Sequence, residues 1–499
     1  MTHRLRVWAA VCSLYVILFT QMLDTSIAIL SLLVISIDLH LDVYQSAGIM
    51  TFYGVGLVIA FPMGAFLTKF WSEGLLFSVG CLIFIVTSLV CGLAQNSDIF
   101  LLFRFIQGVG AGFSVVVCQS LMIKVLGEDK RPLALALTMS AVTMAPVFGP
   151  LVGSIITEYL DWRWLFLSNV PLCAIGVFFV VSYLEFSVKK GEKFQRGYFI
   201  SLLLFSVFVS TVQFIFDFGE KFRWFRSFEI QSATIIAVSV AILFYFSNRR
   251  EKAQIFNFKL LAEPGFRLST LVLTFGNGLI VASLVILPIW LQTDYGLSII
   301  QAGLIVSVAS ALAAVISPMI GKYYPEKHYV SLSLFSVSAT ACAFLAMSRF
   351  TSDTSQEYIV FTRIIAGLGI ATFTAPLLTV SFKKLSVEEI TKANSLSLTM
   401  RLYSANLFIT LSLLLWKYKQ SELYSSITHG MDRAYIMHAL ENGIAIGFRH
   451  ITSTLQVEAM SQIMLYSGIA FAVAIIPVGY LKLHFRVTDK AVEQSGEKI

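Results

Sequence analysis

The sequence predicts an all-α protein that crosses a lipid bilayer about fourteen times. Composition is the first sign. Of 499 residues, 57% are hydrophobic and only 13% charged, where soluble domains carry about 25% charge. The apolar residues gather in runs of about 20, the length at which a helix spans a hydrocarbon core of about 30 Å. The third sign is that Lys and Arg gather in alternate short connections, such as Lys189, Lys190, Lys193, Arg196, Arg249, Arg250 and Lys252. That asymmetry puts both termini on the cytoplasmic side and requires an even number of spans.

In order, the expected spans are 8–33, 48–68, 75–95, 99–124, 132–157 and 164–185, then 199–217 and 229–247, then 268–292, 301–320, 330–348, 357–380, 391–416 and 463–484. The first run starts close to the N-terminus and no A-x-A-like site follows it, so it reads as a span rather than a removed signal. The second ends in Phe61-Pro62-Met63-Gly64, and the tenth in Ser317-Pro318-Met319-Ile320-Gly321. Near its start the fourth reads Arg104-Phe-Ile-Gln107-Gly108-Val-Gly110-Ala-Gly112, and the twelfth Arg363-Ile-Ile-Ala-Gly367-Leu-Gly369. The chain therefore repeats itself. Residues 1–187 form a six-helix half, 188–262 two extra helices with linkers, and 263–485 a second six-helix half containing a long outer loop, 417–462. Residues 486–499 form a cytoplasmic tail. Such repeats are typical of secondary transporters, which bind cargo between the halves.

Charges deep in a bilayer mark function. Asp24 lies roughly 24 Å above the inner end of span one at about 1.5 Å per residue, and Arg104 roughly 8 Å below the outer end of span four. Both reach the outer half of the membrane, so the two are expected to interact. Burial raises a carboxyl's pKa and a neighbouring Arg lowers it, so a small movement of Arg104 would switch Asp24 between holding and releasing a proton. Gln107 lies one turn from Arg104. Gly108, Gly110 and Gly112 keep that helix slim for packing. Arg363 is the counterpart of Arg104 in the repeat, and Arg401 sits near mid-depth in span thirteen. Both are candidates for the cargo cavity or for coupling support. Gln213 and Asp217, at the outer end of span seven, are expected at the interface. Span five contains Ala145-Pro146-Val-Phe-Gly149-Pro150-Leu-Val-Gly153-Ser154, which reads as hinge and packing seam. Proline bends a helix, and small residues four apart let a neighbour approach.

Other classes lack residues. Cys12, Cys81, Cys91, Cys118, Cys173 and Cys342 all fall in apolar runs without CxxC spacing, so neither disulfide nor metal site is expected. His40, His429, His438 and His450 lie in outer loops without metal-ligand spacing. There is no G-x-x-x-x-G-K-[ST] loop for ATP and no nucleophile–base spacing, so neither enzyme activity nor a cofactor is expected. The net charge of +7 lies in loops at the membrane and does not point to nucleic acid.

These motifs resemble the major facilitator superfamily, in particular its fourteen-span drug:proton antiporter branch and the EmrB-type exporters. Leu23-Asp24-Thr25-Ser26-Ile27-Ala28 is similar to that branch's first-helix motif. Arg104-x-x-Gln107-Gly108 is similar to the fourth-helix motif, whose Arg is implicated in proton coupling. Ala145 to Ser154 resembles the antiporter motif G-x-x-x-G-P-x-x-G-G, with Ala145 and Ser154 in place of glycines. Trp162-Arg163-Trp164, Asn169-Val170-Pro171 and Leu287-Pro288 are also similar. The loop after span two departs from the usual G-x-L-x-D-R-x-G-R-K, with Thr68, Trp71 and Ser72 replacing the acid, a glycine and an arginine. Ile29 and Leu33 replace an Asn and a Pro. The resemblance implies proton-driven multidrug export across a cell inner membrane, with small molecules and protons as ligands. A periplasmic membrane-fusion protein and an outer-membrane channel are the implied partners, with the long outer loop as docking surface. The alternative is a dedicated exporter of one metabolite, such as a siderophore.

Overall fold

The computed structural model describes residues 3–41, 43–180, 195–250, 254–325, 328–428 and 445–495. The chain divides into two compact units, Met1–Asn257 and Phe258–Ile499. Among the described residues twelve helices are long and apolar enough to cross a membrane. Helices at Arg131–Tyr159 and Trp164–Val180 occupy the expected fifth and sixth spans.

The first unit contains α1 (His3–Ile27), α2 (Leu32–Asp38), α3 (Val43–Leu67), α4 (Glu73–Leu93), α5 (Ser97–Leu126), α6 (Arg131–Tyr159), α7 (Trp164–Leu167), α8 (Asn169–Val180), α9 (Arg196–Phe218) and α10 (Phe228–Asn248). Local chemistry sets several of these ends. Ser72 caps α4 by accepting from the Leu75 amide, and Asn96 caps α5 by accepting from Asp98 and Ile99. Glycine decides which faces meet. On α5, Gly108 and Gly112 lie one turn apart and face α3. A Cβ on Gly108 would come within 2.0 Å of the Tyr53 carbonyl oxygen, and one on Gly112 within 2.3 Å of Ala60 Cβ. Gly110 faces the other way, onto Gly80 and Ile83 of α4.

The two extra helices join this unit instead of forming a separate layer. Tyr198 stacks on Phe66 at 5.0 Å, and Phe218 meets Phe52 edge-on at 6.2 Å. Asp217 accepts hydrogen bonds from Thr51 Oγ1 (2.8 Å) and Gln213 Nε2 (2.9 Å). Sequence reading expected Gln213 and Asp217 at the interface. Both are buried near the end of α9, with Asp217 only 1% exposed and bonded to Thr51 of α3. The apolar window of α10 is 22% buried against 72% for α3, so the pair is peripheral and turns Ile235, Ile242 and Phe246 outward. Asp217→Ala would remove the buried acceptor of the Thr51 hydroxyl and is expected to cost about 1–3 kcal/mol. A lowered thermal midpoint of the purified protein checks this.

The second unit contains α11 (Pro264–Thr293), α12 (Ile299–Tyr323), α13 (Tyr329–Met347), α14 (Gln356–Ala371), α15 (Thr374–Phe382), α16 (Val387–Thr428) and α17 (Ala445–Ser495). A reciprocal capping box between Ser298 and Gln301 opens α12. The expected outer loop, 417–462, is helical at both ends, because α16 runs on to Thr428 and α17 begins at Ala445. The docking expectation made for it falls partly on 429–444, which lie outside the described residues.

The internal repeat is visible in contacts as well as letters. Arg104 Nε donates to the Ile49 carbonyl of α3 (2.8 Å), and Arg363 Nη2 donates to the Val306 carbonyl of α12 (3.1 Å). Gly108 meets α3 and Gly110 meets α4. Likewise Gly367 meets Ala309 of α12 and Gly369 meets Thr340 of α13.

Candidate functional site

The structure brings Asp24 and Arg104 together as a fully buried ion pair, with Arg104 Nη1 donating to Asp24 Oδ2. Arg104 is 0% and Asp24 1% exposed. Asp24 has a second donor, since Asn169 Nδ2 reaches Oδ1 at 3.2 Å. Arg104 Nη1 also donates to Gln107 Oε1 (2.7 Å), and Gln107 Nε2 donates to Ser88 Oγ (2.7 Å). The guanidinium carbon lies 4.5 Å from the Tyr53 ring centre and 5.2 Å from that of Phe166. Cation–π contact supplements the ion pair where no water screens it. Tyr53 is itself fixed by its hydroxyl, which donates to the Gln21 carbonyl at 2.8 Å.

This arrangement gives the two charges unequal support. Arg104 also holds Gln107, the Ile49 carbonyl and two aromatic faces, whereas the side-chain donors described for Asp24 are Arg104 and Asn169. Asp24 lies near the end of its helix. Helix α1 stops at Ile27, and a turn leads into α2.

The glycine face of α6 seats that end of α1. A Cβ on Gly149 would come within 2.0 Å of Ser26 Oγ, and one on Gly153 within 2.2 Å of the Ile27 carbonyl oxygen. Above them Ser31 Oγ and Thr157 Oγ1 share a 2.5 Å hydrogen bond. Ala145 and Pro150 are buried in the same helix, and Pro146 belongs to it too. The described contacts of this face are thus with α1 of the same unit, two to three residues past Asp24. Gly153→Ala is expected to displace the α1 end and reduce transport several-fold. Gly479→Ala, on α17 where nothing lies within 4 Å of the added Cβ, should leave transport unchanged. Uptake assays at matched protein level check both.

Several contributors were absent from the expected set. Asn169 stood only in a motif recognised by resemblance, and Ser88, Tyr53, Phe166 and the Ile49 carbonyl carried no signal, because an aromatic or a Ser in an apolar run is ordinary. Phe166 reaches Arg104 through an aromatic cluster with Phe100 and Trp162. Trp162 Nε1 and Arg163 Nη2 in turn donate to Asp38 at the end of α2 (3.2 and 2.8 Å). Arg363 and Arg401 lie in the second unit. Arg363 is buried and its Nε has no partner, while Arg401 is half-buried. No group of three or more His, Cys, Asp and Glu suited to a metal occurs among the described residues.

Membrane-crossing helices in two repeated units, with a buried charge pair inside one of them, define the class of secondary transporters. Residues 14–409 match the Major Facilitator Superfamily, and the chain belongs to that family. It is 27% identical over 481 residues to the fatty acid resistance protein FarB of Neisseria gonorrhoeae, covering 94% of each chain. It is also 27% identical over 416 residues to the multidrug export protein EmrB of Escherichia coli K12, covering 83% of this chain and 81% of that one. Among solved structures, a bacterial homologue of the human lysosomal transporter Spinster matches with a TM-score of 0.64 at 14% identity, over 95% of this chain and 97% of that one. This last match concerns the fold alone.

Proposed function

We propose that this protein is a proton-driven antiporter that exports amphipathic or lipophilic compounds across a bacterial inner membrane, with both termini cytoplasmic. The observation that carries the reading is the buried Asp24–Arg104 pair beside the break between α1 and α2. Similarity to proteins named for multidrug export and fatty acid resistance supports the direction and the cargo class.

In this reading a proton from outside neutralises Asp24 and frees it from Arg104. The α1 end, seated on Gly149 and Gly153, then shifts as a unit while Arg104 stays with α3 and α5. Breaking a buried pair costs about 3–5 kcal/mol. One charge crossing about 150 mV yields roughly 3.5 kcal/mol, so the proton gradient is matched to the work of opening the pair. Cargo binding on the inner side favours the re-formed pair and expels the proton inward.

Reconstituted vesicles test this: adding cargo should move protons only in the presence of the protein. A panel of unrelated compounds separates broad efflux from the alternative, a dedicated exporter of a single metabolite such as a siderophore. A non-transporting membrane sensor predicts no cargo-dependent proton movement at all. The reading extends to a periplasmic membrane-fusion protein and an outer-membrane channel as partners, on the strength of the EmrB-type resemblance. Their co-purification with the full chain tests that extension.

A further inference from the structure

The two units treat their membrane arginines differently. In the first, Arg104 has Asp24. In the second, Arg363 and Arg401 lie well inside their spans, while the acidic residues Glu357, Glu422 and Glu458 all lie at or within three residues of a span end. Arg363 is fully enclosed against the Val306 carbonyl. Arg401 is not enclosed. It stands about 15 Å along its span, near the middle of the hydrocarbon, with its side chain half-buried. Among the described residues its guanidinium makes one polar contact, from Nε to the Ser397 carbonyl one turn back, at 3.4 Å, beyond the range of a good N–H···O bond.

The surroundings are polar and incompletely matched. Asn277 Nδ2 of α11 donates to the Arg401 carbonyl (3.1 Å), and Ser404 Oγ donates to the Thr274 carbonyl (2.6 Å). Among the described residues the hydroxyls of Ser397 and Thr274 are buried without a partner, as is Asn406 Nδ2. Ser397 precedes Arg401 by one helical turn, and its carbonyl is the one that Arg401 Nε reaches. A cation at mid-depth without a counter-charge is strongly unfavourable. It persists if an anion from outside the chain completes it during the working cycle. A planar fork of N–H donors suits a carboxylate.

We propose that Arg401 is the head-group contact of the exporter, and that its preferred cargo is an anionic amphiphile bearing a carboxylate. This rests on the exporter reading. A neutral lipophile gains nothing from Arg401, and a cationic one is repelled by it.

The test is equilibrium binding of laurate, lauryl alcohol and lauryltrimethylammonium to the full chain in phosphatidylcholine nanodiscs, corrected with empty discs. Laurate should bind about tenfold tighter than the alcohol, or more. In Arg401→Gln the ratio should fall to about one, and Arg401→Lys, which keeps the charge without the fork, should retain part of it. Equal binding of acid and alcohol by the unsubstituted chain would overturn the proposal, as would an unchanged ratio in Arg401→Gln. Anionic lipid offers the same chemistry. If laurate shows no preference and only phosphatidylglycerol binding depends on Arg401, this is a lipid site and the cargo assignment falls. The exporter reading fails separately, by absence of proton movement in vesicles with every probe. Proton movement driven by lauryltrimethylammonium without any laurate preference sinks the anion assignment alone.

Discussion

Asp24→Asn should abolish export driven by a pH gradient while the protein is still made and inserted. The side chain keeps its size and remains within reach of Asn169 and Arg104. It loses the charge, which is also what protonation of Asp24 does. Because the neutral form is a normal state of the proposed cycle, the variant should fold, with residue 24 permanently uncharged. Arg104 remains compensated by Gln107, the Ile49 carbonyl, Tyr53 and Phe166. Cargo exchange without a gradient should therefore survive in vesicles even as driven export disappears. Loss of both together with loss of the purified protein would instead assign Asp24 a purely structural role, as the counter-ion whose removal costs about 3–5 kcal/mol.

Gly108→Ala should have the largest structural effect among single-methyl additions. The new Cβ would lie 2.0 Å from the Tyr53 carbonyl oxygen and 2.8 Å from its carbon, and neither backbone atom can rotate away. Helices α3 and α5 must separate by more than an ångström. That movement also withdraws the Ile49 carbonyl and the Tyr53 ring from Arg104. Overpacking of this kind costs about 1–3 kcal/mol and occasionally more, and here it falls on the site as well as on the helix pair. A lower thermal midpoint and lost coupling should appear together. Gly321→Ala, with nothing within 4 Å, is the matched control and should change neither.

Much of this was legible in the sequence because the membrane imposes simple rules. Twenty-residue apolar runs, the charge asymmetry of the loops and the repeated Arg-Gly patterns led to the helices and the internal repeat. Asp24 and Arg104 could be paired from depth alone, since few charges are tolerated there and two at one level seek each other. What was not legible is which face each helix presents. APVFGPLVGS announced a bent, slim helix, but not that its glycines seat the end of α1 next to Asp24. Gly108 and Gly110 look alike in the chain, yet one meets α3 and the other α4. The burial of Asp217 was not legible, because depth along a helix says nothing about packing against a neighbour. The mixed apolar and charged spacing of 417–462 allowed amphipathic helix in parts of it, and the helices α16 and α17 extend into both of its ends. The supports of Arg104 were hidden as well, because a backbone carbonyl or an aromatic ring is not a motif.

The central claim is that the proton carried in exchange for cargo rides on Asp24. The most direct measurement is proton release from the purified, lightly buffered protein when cargo is added, compared with Asp24→Asn. The unsubstituted protein should release protons in proportion to cargo bound, and Asp24→Asn should bind cargo and release none. Undiminished release from Asp24→Asn would contradict the account.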